Sequence, residues 1–102
     1  MAILHTVNKS PFERNALTTC LRLAEKGSTI LFIEDGVIAV TKGSKFSEVI
    51  TDALVDYKFC FLNPDAEARG LESDDMINGV DSIDYAGFVD LVVDHDAVKA
   101  WL

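Results

Sequence analysis

Long apolar runs are missing from this chain. No stretch approaches the roughly 20 residues that cross a bilayer, so no membrane span is expected. The amino end has no basic region followed by an apolar segment and a small-residue cleavage site, so no secretory signal is expected and the cytoplasm is the default location. Clusters of Lys and Arg are also missing. Without them there is no phosphate footprint, and direct binding of nucleic acid is not expected. Neither a GxGxxG turn nor a P-loop glycine set is present, and no catalytic triad is recognisable. The two cysteines, Cys20 and Cys60, have no CxxC spacing and no accompanying His cluster. A redox dithiol and a zinc site are therefore not suggested, and no cofactor or metal is expected. Internal repeats, low-complexity tracts and linkers are absent as well.

What is present is the composition of an ordinary globular domain. With 102 residues, 49% of them hydrophobic and 25% charged, residues 1–102 are expected to form one domain with a core of its own. The net charge of −8 is uneven. Residues 1–51 carry six Lys or Arg against five Asp or Glu, whereas residues 52–102 carry three against twelve. Such an acidic half serves solubility or faces a basic protein partner.

The chain is organised around its first stretch. Ile3-Leu4-His5-Thr6-Val7 reads as a strand inside a sheet, and Asn8-Lys9 break it. Ser10-Pro11-Phe12-Glu13 reads as a helix start, with the Ser10 hydroxyl and Glu13 carboxylate as a capping pair and Pro11 in the first turn. Apolar residues from Ala16 to Ala24 at helical spacing predict a helix over Phe12 to Lys26, closed by Gly27. Thr29 to Ile33 is a continuously apolar second strand, suited to a parallel sheet covered on both faces. Glu34-Asp35-Gly36 ends it, and the two carboxylates are best used to cap the next helical turns at Val37 to Lys42. Phe46 to Val55 predicts an amphipathic helix burying Phe46, Val49, Ile50, Ala53 and Leu54.

Tyr57 to Leu62 is a third strand, and Cys60 inside it is expected to be buried. Asn63-Pro64-Asp65 opens a short helix that Gly70 ends. Leu71 to Gly79 reads as a surface connection with a turn near Ser73. A fourth strand falls within Val80 to Tyr85, and a last helix bears Phe88, Val89, Leu91 and Val92. His95 is read as a surface histidine and Arg69 as the partner of a local acid. Trp101 is either tucked onto the sheet or offered to another subunit. The sum is four parallel strands with helices on both faces. In such sheets reactive groups gather at the carboxyl ends of the strands, where residues 8–11 and 34–36 lie. A small flavodoxin-like domain binding an anion or nucleotide through those loops is one reading, although they hold few glycines and few bases.

The wording of the loops adds a resemblance. Leu4-His5-Thr6-Val7-Asn8-Lys9-Ser10-Pro11, Ile33-Glu34-Asp35-Gly36-Val37, Leu62-Asn63-Pro64-Asp65 with Ala68-Arg69-Gly70, Asp84-Tyr85 with Phe88-Val89, and Ala100-Trp101 together resemble the DsrH/TusB family, from residue 3 to the end of the chain. The resemblance implies a DsrE-like (flavodoxin-like) fold, a three-layer α/β/α sandwich with a mainly parallel sheet of four to five strands. It implies a subunit of a cytoplasmic sulfurtransferase heterohexamer, two copies each of this chain, a DsrE/TusD-like subunit and a DsrF/TusC-like subunit. The complex would relay persulfide sulfur to a DsrC/TusE-like acceptor. One branch of the family serves intracellular sulfur oxidation and the other the 2-thiolation of the tRNA wobble uridine. The main sulfur-carrying cysteine belongs to the DsrE/TusD-like subunit, in a loop this chain does not match. Cys20, in the first helix, resembles the DsrH pattern, as does Asn8 to Glu13, which points to the sulfur-oxidising branch. Cys20 is thereby a candidate sulfur carrier, activated by a neighbour such as His5 or Arg22 or by another subunit. The alternative for Cys20 is a small buried hydrophobe in a purely structural subunit.

Overall fold

The computed structural model describes residues 2–12 and 15–102. Its five strands are β1 (Ile3–Val7), β2 (Thr29–Phe32), β3 (Lys58–Leu62), β4 (Asp81–Ile83) and β5 (Ala97–Trp101). They form one sheet in the order β4-β3-β2-β1-β5, with every pair parallel. The α/β class and the parallel sheet expected from the sequence are as observed. The fifth strand is the addition to the four read from the pattern. Two of its residues, Val98 and Trp101, favour strands, but Ala97, Lys99 and Ala100 do not, so the local signal is mixed. They become a strand because β1 offers them an unoccupied edge, in the register Ile3 opposite Ala97 through Val7 opposite Trp101.

Four helices complete the chain: α1 (Ala16–Leu23), α2 (Ser47–Ala53), α3 (Asn63–Ala68) and α4 (Tyr85–Asp94). Two 3₁₀ segments, Glu34–Val40 and Ser73–Asp75, lie between them. The route from β1 through β4 crosses the sheet in one direction, and its helical connections pack on one face. There Leu17 and Cys20 of α1, Ile50 of α2 and Ala66 of α3 join Val7, Ile30, Phe32, Phe59 and Phe61 in the larger core. The return from β4 to β5 carries α4 across the opposite face, over Leu4, Leu31 and Cys60, with Phe88 and Leu91 as its contacts. One face is therefore thick and the other covered by a single helix.

Several local expectations are corrected. The first helix starts at Ala16 rather than Phe12. The Ser10 hydroxyl accepts from the Phe12 N–H at 3.2 Å in a local turn, and Glu13, its expected capping partner, lies outside the described residues. The helix also ends earlier, at Leu23, with Ala24 already extended. The Tyr57 hydroxyl lies 3.0 Å from the Ala24 carbonyl and 3.3 Å from that of Leu21, satisfying acceptors that a longer helix would have used internally. Val49, expected in the core, is exposed. The connection after Gly70 is not merely superficial: Met76, Ile77 and Val80 are buried beneath it, and Met76 bridges Thr41.

The carboxyl ends of β1 and β2 are stitched through one carbonyl. The Val7 oxygen accepts from the Ile33 N–H at 3.0 Å, and Gly36 presses against that same oxygen so closely that an added Cβ would stand 2.0 Å from it. Backbone cannot move away from such a clash without breaking the strand pair. Gly36→Ala is accordingly expected to lose about 3 kcal/mol of stability, as other overpacking changes do, measured by urea unfolding followed by circular dichroism.

Candidate functional site

The loops at the carboxyl ends of the strands, named from the sequence as a binding edge, are brought together but bind one another. Arg69 donates to Asp35 Oδ1 from Nε at 3.0 Å and from Nη2 at 2.9 Å, and to the Asp65 carbonyl from Nη1 at 2.9 Å. Asp65 Oδ2 accepts from the Glu34 N–H at 2.7 Å, which holds Glu34 in a left-handed conformation with φ of 50°. The capping carboxylate at this 3₁₀ segment thus comes from α3, not from Glu34 or Asp35 themselves. The Arg69 pairing with a local acid is as expected. Asn8 Oδ1 is buried beside these loops without a hydrogen-bond partner among the described residues.

The strand order moves the crevice of the sheet away from residues 8–11. α3 follows β3 on the thick face and α4 follows β4 on the other, so the connections diverge between β3 and β4. A depression at that point is lined by Asn63, Ser82, Ile83, Asp84 and Gly87. Its carboxylate is already engaged, because Asp84 caps α4 by accepting from the Gly87 N–H at 2.8 Å. No thiol lines it.

Cys20 sits in the second turn of α1 and is fully buried against the sheet. Its neighbourhood differs from the one expected. The charge that acts on it is Lys99 of β5, a residue without a role in the sequence reading. Burial outweighs that charge and pushes the thiol up to about 12, so it stays protonated at physiological pH. Cys60 is buried on the opposite face, as expected, and burial raises its thiol too.

His5 faces the same side of the sheet as Lys99 and Trp101. The Trp101 indole Nε1–H donates to His5 Nδ1 at 3.0 Å, which places the imidazole proton on Nε2. Burial first, and Lys99 second, lower the His5 pKa and keep the ring neutral. Lys99 Nζ in turn lies 4.5 Å from the centroid of the Trp101 ring. Trp101 is thereby tucked onto the sheet, and the register of β5 explains why: its partner strand carries the one acceptor that its indole needs. His95, expected at the surface, is half-buried and engaged on both ring nitrogens. Its Nδ1 lies 2.6 Å from the Leu91 carbonyl and its Nε2 lies 3.1 Å from Thr29 Oγ1, tying the end of α4 to β2. Neither contact was legible from the flanking aspartates.

The architecture defines the class first: a doubly wound parallel α/β sheet with both of its cysteines buried. Known proteins then narrow it. The family described as "DsrH like protein" matches residues 9–98. Protein TusB of Pectobacterium parmentieri is 38% identical over 100 residues, which span 97% of this chain and all of that protein. Protein TusB of Shigella flexneri is 36% identical over 99 residues, again 97% of this chain and the whole relative. Among solved structures, the ychN protein from E. coli superposes with a TM-score of 0.86 at 17% identity over 98% of each chain. Protein MTH1491 from Methanobacterium thermoautotrophicum follows with a TM-score of 0.73 at 16% identity, covering 96% of this chain and 97% of that one. Those two likenesses concern the fold. The chain belongs to the DsrH/TusB family of sulfur-relay subunits.

Two outcomes follow from the Cys20 and His5 environments. Iodoacetamide is expected to leave Cys20 unmodified in the native chain at mildly alkaline pH and to label it after unfolding in guanidinium, read by intact mass. Unfolding returns this thiol to 9.0, so the folded state loses stability as pH rises from there toward 12. Trp101→Phe removes the donor to His5 Nδ1 and is expected to cost about 1–3 kcal/mol, the penalty of a buried acceptor left unmade, in thermal or urea unfolding.

Proposed function

We propose that this chain is a structural subunit of a cytoplasmic heterohexameric sulfurtransferase complex. The complex acts in intracellular sulfur oxidation and passes persulfide sulfur toward a DsrC-like acceptor. The carrier thiol sits on a DsrE-like partner, and a DsrF-like subunit completes the assembly. The observation that carries the structural role is the burial of Cys20, with its thiol held protonated, in a chain that matches the DsrH family over residues 9–98. A persulfide relay proceeds by thiolate attack on the outer sulfur of the donor: a new S–S bond forms, the donor thiolate leaves, and the sulfur passes on by a second attack. A thiol that keeps its proton inside a core is a poor participant.

Two further readings each have an observation behind them. Cys20 as a sulfur carrier is supported by its position in α1, which resembles the DsrH pattern, and by the Lys99 charge acting on it; it requires α1 to lift from the sheet. The tRNA 2-thiolation branch is supported by relatives named TusB.

Intact-mass analysis of the reconstituted complex after incubation with a persulfide donor separates the roles of Cys20. Sulfur is expected on the DsrE-like subunit alone. One added sulfur on this chain, lost in Cys20→Ser, makes Cys20 a carrier instead. Deleting the gene is expected to impair oxidation of stored sulfur while leaving 2-thiouridine in tRNA intact; the reverse pattern assigns the tRNA branch.

A further inference from the structure

Helix α4 is apolar nearly all round, yet none of its residues is fully buried. Phe88 and Leu91 rest on the sheet. Tyr85, Val89 and Val93 are 60%, 61% and 76% exposed, and Val92 is exposed beside them. The patch continues onto β5. Val98 lies in register with Leu4, whose side chain packs on the α4 side of the sheet, and Val98 is itself exposed. This is also the thin face, where one helix covers five strands. Contiguous apolar surface of this kind marks an interaction site.

The charges around the patch decide what covers it. Asp81 and Asp84 precede α4, Asp90 and Asp94 stand on it, and Asp96 follows it. None of the five takes part in an ion pair among the described residues. Lys58, on the strand face of Cys60, is the cation close enough to act on that thiol alongside Asp81, while Lys99 is committed to the other face by its contact with Trp101. A second copy of the chain docked here would set aspartates against aspartates, a costly juxtaposition. A partner with an apolar centre and a Lys/Arg rim satisfies both features.

From this geometry we infer that the α4–β5 face is the surface by which this chain joins a neighbouring subunit of its complex, one presenting an apolar, base-rimmed patch. The inference rests on the relay reading above and names the surface that reading needs. Tyr85, Val89 and Val93 supply the buried centre of the contact, and Asp90 and Asp94 set its orientation and its partner choice.

The test is co-expression of the full chain with the DsrE-like and DsrF-like subunits of its own organism, followed by native mass spectrometry of the purified assembly. V89E/V93E is expected to drop out of the complex, whereas V55E, which alters an exposed valine after α2, stays in it. D90K/D94K keeps the apolar centre and is expected to weaken assembly by roughly tenfold or more, as loss of complementary charge does; this variant decides the matter if V89E/V93E shows a lowered melting temperature. Added salt is expected to weaken the wild-type assembly in the same direction. Full incorporation of both α4 variants overturns the docking surface and leaves the relay reading standing. A wild-type chain that joins neither subunit overturns the relay reading and this surface with it. A homodimer of the isolated chain that V89E/V93E dissolves overturns the choice of partner.

Discussion

A parallel sheet forces its connections out of the plane, and their common handedness decides which face each one covers. In this chain the first four strands advance in one direction, so α1, α2 and α3 fall on the same side of the sheet. The single return, from β4 to β5, falls on the other. That constraint creates a thick face and a thin one. The thick face buries Cys20, Ile50, Ala66 and the aromatic pair Phe32 and Phe59, whose ring centroids lie 5.9 Å apart. The thin face has α4 alone, and its surplus apolar surface faces outward.

The chemistry of the two cysteines follows from the same asymmetry. A thiol serves sulfur transfer as a thiolate, and a low dielectric opposes its ionisation. Lys99 does approach from β5 and favours the charged form of Cys20, but it acts on a group that the core has removed from water. The packing that stabilises the fold thus keeps the thiol protonated within the chain itself. The loops at the carboxyl ends reinforce this picture. Arg69, Asp35 and Asp65, each capable of meeting a ligand, bond to one another or to the Glu34 backbone instead. What the chain holds available is apolar surface on α4 and acidic charge around it.

Much of the fold was legible because its signals are local. Continuous apolar runs at Thr29 to Phe32 and Phe59 to Leu62 are what a strand buried on both faces requires, and Pro64 in the first turn of α3 fits the helix start read at Asn63-Pro64-Asp65. The site was less legible because its partners are distant in the chain. Trp101 meets His5 across 96 positions, and His95 meets Thr29 across 66. The start of α1 was misplaced because Ser10 and Pro11 also suit a free-standing turn, which is the use the chain makes of them.

By itself, then, the sequence determined the elements that depend on short-range periodicity and turn chemistry, the acidic character of residues 52–102, and, through the wording of its loops, the family. Only the tertiary structure decided that residues 97–101 form a strand, that Cys20 is shut inside a core beside Lys99, and that Tyr85, Val89 and Val93 of α4 face out while Phe88 and Leu91 face the sheet. Each of those depends on which strand lies next to which. Strand adjacency is set by crossover direction and by competition for free backbone edges, and neither is written in the spacing of neighbouring residues.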